Sequence, residues 1–140
     1  MRLLSCLVFL MVAGSTAALA QQRSVAPTDA SVYFISPANG ALVSSPVLVR
    51  FGLSNMGVAP AGVNIDGTGH HHLLIDLETL PAMDKSMPGG EQLRHFGGGQ
   101  TETLLELAPG THTLQLMMGN YLHIPHDPPV ISEKITITVR

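Results

Sequence analysis

Seven histidines fall between residues 70 and 126, and their spacing is the first feature of the chain with chemical content. His70, His71 and His72 belong to the run Gly69–Asp76, which reads as a strand, so alternate side chains share a face. Leu73, Ile75 and Leu77 form the apolar set, which places His71 at the edge of the core and projects His70 and His72 from the opposite face. Two residues of strand separate their Cα atoms by about 6.6–6.8 Å, close enough for both imidazoles to converge on one ion. His123-Ile124-Pro125-His126 is a second pair. Prolines at 125, 128 and 129 hold this loop extended, which excludes the helical His-x-x-x-His of zinc proteases and positions two ligands at low entropic cost. His95 opens His95-Phe96-Gly97-Gly98-Gly99, whose glycines suit a close approach of backbone to another element. They do not form a phosphate loop, because no helical pattern and no Lys-Ser/Thr ending follows. The candidate metal ligands are therefore His70, His72, His95, His123 and His126.

Imidazoles suit Cu(II) and Zn(II), and thioethers favour Cu(I). Met83 and Met87 sit in a loop flanked by proline and glycine, where packing asks less of them, although methionine also serves as a gap-filler. Copper is expected ahead of zinc.

The rest of the composition narrows the function classes. An apolar run, Leu3–Val12, precedes Ala18-Leu19-Ala20, so residues 1–20 read as a secretory signal peptide cleaved near Ala20. The expected location is periplasmic or secreted, and the Cu(I)- and Cu(II)-accessible exported compartment agrees with the choice of metal. No later segment reaches 18 consecutive apolar residues, so no membrane span is expected. The one cysteine, Cys6, leaves with the leader, which removes disulfides, thiolate nucleophiles and Cys-ligated zinc from consideration. Six Lys and Arg against ten Asp and Glu remain after residue 20, without a basic patch, and this argues against a nucleic-acid partner.

The elements that must position the histidines read as strands. Ser31–Ser36, Val47–Leu53, His71–Leu77, Thr101–Leu107, Thr111–Met118 and Glu133–Val139 alternate with period two and are broken by Gly, Pro and Asn. No segment holds a helical period. Met117 and Met118 end a strand, one facing the core and one its rim. Residues 21–30 read as a flexible lead-in and residues 31–140 as a single domain. Leu107-x-Pro109-Gly110-x-His112-x-Leu114 matches the corner entering a late strand of immunoglobulin-like sandwiches, where tyrosine usually stands at the His112 position. The expected fold is an all-β, immunoglobulin-like antiparallel sandwich of about 6–7 strands, with His112 a structural residue whose ring bonds back to the corner backbone.

Four motifs in order carry a family resemblance: Gly69–Asp76, His95–Glu102, Pro109–Leu116 and His123-x-Pro125-His126-x-Pro128-Pro129. The set resembles an uncharacterised family of small exported bacterial domains, classed as a domain of unknown function, over about Val32 to Val139. Some members carry the label of a rod-shape-determining protein, a name otherwise used for a many-spanning membrane protein. The resemblance implies a compact secreted β domain and supplies no catalytic role.

The functional expectation is a metal-binding domain acting as carrier or sensor. The competing expectation is a non-catalytic binding or scaffold module at the cell envelope, with an envelope protein as partner and with structural histidines. An enzyme is not expected. No Gly-x-Ser-x-Gly elbow frames a nucleophile, and no histidine precedes His70 to form an N-terminal copper brace. A three-histidine zinc hydrolase is the remaining catalytic form.

Overall fold

Leu, Ile and Val at alternate positions, separated by short polar turns, can bury their apolar faces only by laying one sheet on another. The computed structural model does this over residues 23–140, the residues it describes, and the expected leader at 1–20 lies outside them. A three-stranded sheet contains β1 (Ser31–Ser36), β3 (Val47–Ser54) and β7 (Glu102–Leu105), in the order β1-β3-β7. The second sheet runs β2 (Leu42–Val43), β9 (Ile135–Val139), β8 (Gly110–Gly119), β5 (Thr68–Ile75) and β4 (Gly57–Val58), with β6 (Leu93–His95) also paired to β5. No helix occurs among the described residues, and so none there is long and apolar enough to cross a membrane.

The all-β sandwich is present, with differences from the expected strand set. Nine strands appear among the described residues rather than six or seven. The additional β2, β4 and β6 are two or three residues long, too short for alternation to register. The pairing is also not wholly antiparallel, since β2 with β9 and β4 with β5 are parallel. Residues 21–30 are bound to the domain over their described part: Ala26 N–H donates to the Asp127 carbonyl, and Asp127 N–H donates to that of Ser24.

The core lies between the sheets. Val47, Val49, Phe51 and Leu105 from the smaller sheet meet Leu73, Ile75, Leu114, Leu116, Met118, Ile137 and Val139 from the larger. β5 starts at Thr68 and stops at Ile75, ahead of the expected end at Leu77, because Asp76 turns the chain with φ 52. Leu77 accordingly leaves the core face and packs in a separate small cluster with Leu74, Met87, Leu93 and Met117 on the outer side of the sheet.

His112 forms a bracket at the end of β5. Its Nδ1–H donates to Asp76 Oδ2 at 2.7 Å and its Nε2–H to the Ala108 carbonyl at 2.9 Å, the bond back to the corner expected of that position. Asp76 Oδ1 also accepts the Thr113 N–H at 2.7 Å. Both ring nitrogens of His112 face acceptors, so the imidazolium is favoured. Its pKa is raised, first by the Asp76 hydrogen bond and then by the Ala108 carbonyl.

A raised folded pKa means that this bracket stabilises fully below the ordinary histidine value and weakens as pH rises through the folded one. His112→Ala should therefore cost about 1–3 kcal/mol at pH 5.5, as expected for a hydrogen-bonded charged group. The cost should shrink at pH 9. Urea unfolding of both proteins at the two pH values checks this, and an equal loss at both would show that the charged form plays no part.

Candidate metal centre

β5 is where the sequence pattern acquires a second meaning. Its inward set, His71, Leu73 and Ile75, enters the core, and its outward set is His70, His72 and Leu74. The outward face of a sheet is commonly wet, yet all of these residues are buried, with His70 at 0% and His72 at 1% exposure. His71 packs against Phe51, with ring centroids 5.1 Å apart, fully inside the core rather than at its edge. Burial pushes its pKa down to about 4.

Register brings the remaining ligands in. β6 pairs with β5 so that His95 stands opposite His72, which places the two imidazoles side by side on the outward face. His123 arrives from the loop after β8. The four rings of His70, His72, His95 and His123 form one cluster, with every pair of centroids between 4.6 and 6.1 Å apart. Nitrogen atoms of His70, His72 and His95 lie within 4.8 Å of one another. Four imidazoles bound tetrahedrally at metal–nitrogen distances of about 2.0–2.1 Å would place their ring centroids about 5.2 Å apart, inside the observed range. His70 and His72 form the buried floor, His123 is half-buried, and His95 is exposed at the mouth.

The fifth expected ligand, His126, lies outside the four-ring cluster, bonded at one ring nitrogen and without a partner at Nδ1. It is buried, and its Nε2–H donates to the Thr68 carbonyl at 3.1 Å.

The hydrogen bonding of the floor is the informative feature. Neither ring nitrogen of His70 or of His72 has a hydrogen-bond partner, although both rings are shut away from water. An unsatisfied buried polar group costs about 1–3 kcal/mol. A neutral imidazole carries one lone pair, so a cation held between the two rings would engage one of the two unpartnered nitrogens of each. Burial, followed by the neighbouring imidazoles, lowers the His70 pKa to about 4 and the His72 pKa to about 2. Burial and then His123 lower that of His95. Lowered pKa values favour the neutral form of His70, His72 and His95, the protonation state a metal ligand needs.

Two glycines make room for the rings. A Cβ at Gly119 would lie 2.6 Å from His72 Cε1, and one at Gly97 would lie 2.6 Å from His95 Nε2. The close approach expected of the 97–99 glycines is thus made to the imidazole of His95 itself.

Asn120 is a positioning residue that spacing alone does not reveal. It is 1% exposed, and its Oδ1 accepts the N–H groups of Leu122 at 2.9 Å and Ile124 at 3.0 Å. Its Nδ2–H donates to Ser24 Oγ at 3.1 Å. The loop so gathered holds His123 at φ 66, in the left-handed region that costs a non-glycine residue energy and recurs at functional sites. The only signal for Asn120 in the sequence is its turn-forming type after Gly119, which does not separate it from other loop asparagines.

Residues 49–140 match the family described as a domain of unknown function (DUF4399), and the chain belongs to that family. No curated protein and no solved structure gives a significant match.

Asn120→Ala should cost about 1–3 kcal/mol, because it leaves the amides of Leu122 and Ile124 without an acceptor. Asn120→Asp, which keeps the acceptor, should lose less. Urea unfolding gives the first comparison. Amide exchange at 122 and 124 gives the second, and unchanged protection there in Asn120→Ala would refute this role.

Proposed function

We propose that this domain binds one metal ion through His70, His72, His95 and His123, and that it acts as a carrier or sensor of that ion outside the cytoplasm. The observation that carries the reading is the pair of buried floor imidazoles, His70 and His72, with no hydrogen-bond partner on any ring nitrogen. His112, which braces the corner, is bonded at both nitrogens, whereas the core ring of His71 shares the unpartnered state of the floor but stands apart from the other imidazoles, against Phe51. Those of the cluster are held next to one another with their lone pairs uncommitted.

Copper is the first candidate and zinc the second. An all-nitrogen donor set suits both ions, and divalent copper outranks zinc in intrinsic affinity. The leader read at residues 1–20 supports export, where copper chemistry is accessible. Four imidazoles would fill a tetrahedral ion, whereas a hydrolytic zinc keeps three protein ligands and an open position for water. The donor count therefore favours carriage or sensing over hydrolysis.

Untagged protein comprising residues 21–140 should bind one equivalent of Cu(II), Cu(I) or Zn(II) with a dissociation constant below about micromolar, as a converged multi-histidine site requires. His70→Ala or His72→Ala should abolish that binding. Metal at about 100 times its dissociation constant should stabilise the fold by about 2.7 kcal/mol, raising Tm by roughly 10 °C for a domain of this size. Competitive titration and a melting curve with and without metal read both effects. Binding no tighter than that of free histidine, with Tm unmoved, would end the metal reading.

A further inference from the structure

The outward face of β5 does not end with imidazoles. Met117 is the cross-strand partner of His72, and it is fully buried. Met87 is buried beside it, and Met83 packs on the same small cluster. Three of the five methionines between residues 21 and 140 thus share the outer cluster, Met117 opposite His72 among them, while Met118 points into the core.

Met87 is the one tied to the site from two directions. Its N–H donates to the carbonyl of His123 at 2.9 Å, which anchors its backbone to one cluster histidine. Its methyl carbon and the His72 ring both close over Gly119: the position a Cβ would take there is 3.1 Å from Met87 Cε and 2.6 Å from His72 Cε1. The end of the Met87 side chain and the His72 ring therefore both approach Gly119, and the Met87 backbone is tied to the loop that delivers His123.

We propose that Met87 supplies a thioether ligand to the histidine centre in place of one imidazole when the ion is monovalent copper, and that this soft donor makes the site select monovalent copper over zinc. The inference rests on the metal-binding reading above and adds to it a ligand and an oxidation state. Thioether sulfur is a good donor to Cu(I) and a poor one to Zn(II), whereas imidazole serves both. A leucine would fill the same apolar corner, so packing alone gives no preference for sulfur at position 87.

The test uses untagged protein expressed from the full chain, titrated anaerobically with Cu(I) against bicinchoninate and with Zn(II) against a zinc chromophore. Met87→Leu conserves volume, and Met118→Leu on the core face controls for the substitution itself. Met87→Leu should weaken Cu(I) binding about tenfold or more and leave Zn(II) binding within about twofold, since only the soft ion uses the sulfur. Met118→Leu should change neither. X-ray absorption of the Cu(I)-loaded wild-type protein should show a sulfur scatterer alongside nitrogen, which makes the outcome independent of how well any variant folds. Nitrogen-only coordination of Cu(I) in the wild type, or equal losses of both metals in Met87→Leu, would overturn the role of Met87 and leave the histidine site standing. A wild-type protein that binds neither metal would overturn both.

Discussion

Strand β5 is buried on both faces, and the two faces are buried for different reasons. Inward, Leu73 and Ile75 meet the apolar residues of the smaller sheet, the ordinary driving force of a sandwich. Outward, His70 and His72 are covered as completely as the core, although imidazole gains little from leaving water. The cover is assembled from β6, from the loop bearing Met87 and from the loop bearing His123. Much of what is irregular in this chain lies in those segments. A plain antiparallel sandwich would leave that face to solvent and would need none of them.

The two kinds of histidine in the domain differ in what surrounds their ring nitrogens. His112 has acceptors at both nitrogens and is pushed toward the cation, which is how a positive imidazolium is kept in a fold. His70, His72 and His95 have imidazoles as neighbours and are pushed toward neutrality by burial and then by those neighbours. Protonating any one of them adds charge that the next resists. A metal cation reverses this logic, because each neutral ring then turns a lone pair toward it instead of a proton toward its neighbour. His126 takes an intermediate place, bonded to the Thr68 carbonyl at Nε2 and without a partner at Nδ1.

Period-two alternation made most of this architecture readable before any coordinates. The long strands, the core set of β5 and β8, and the projection of His70 and His72 from one face all follow from it. It does not register strands of two or three residues, so the pairing of His95 with His72, a matter of sheet register, is not legible in it. His123 and His126 looked equivalent in their proline-rich loop. They diverge because Asn120 and a left-handed backbone turn His123 into the cluster, while the ring of His126 finds the Thr68 carbonyl. Met87 was noticeable as a thioether in a Pro/Gly-flanked loop, but its neighbours depend on how that loop folds across Gly119, which composition does not encode.

The division of labour between strand and loop sets how such a centre can work. His70 and His72 are fixed by β5, whose inward side chains cannot move without disturbing the core. They form a floor of constant geometry. His123 is held by Asn120 in a backbone state that costs energy, so its place in the cluster is imposed by the fold rather than adopted on demand. Both features lower the entropy lost when an ion arrives, which is the general advantage of a preorganised site. His95 differs from the other three. It ends a three-residue strand and faces solvent, with a glycine-rich loop immediately behind it. On the metal-binding reading, an ion entering the cluster would meet His95 first and the buried floor after it. A site with a rigid floor and one ligand at its mouth suits transfer of an ion better than its permanent retention.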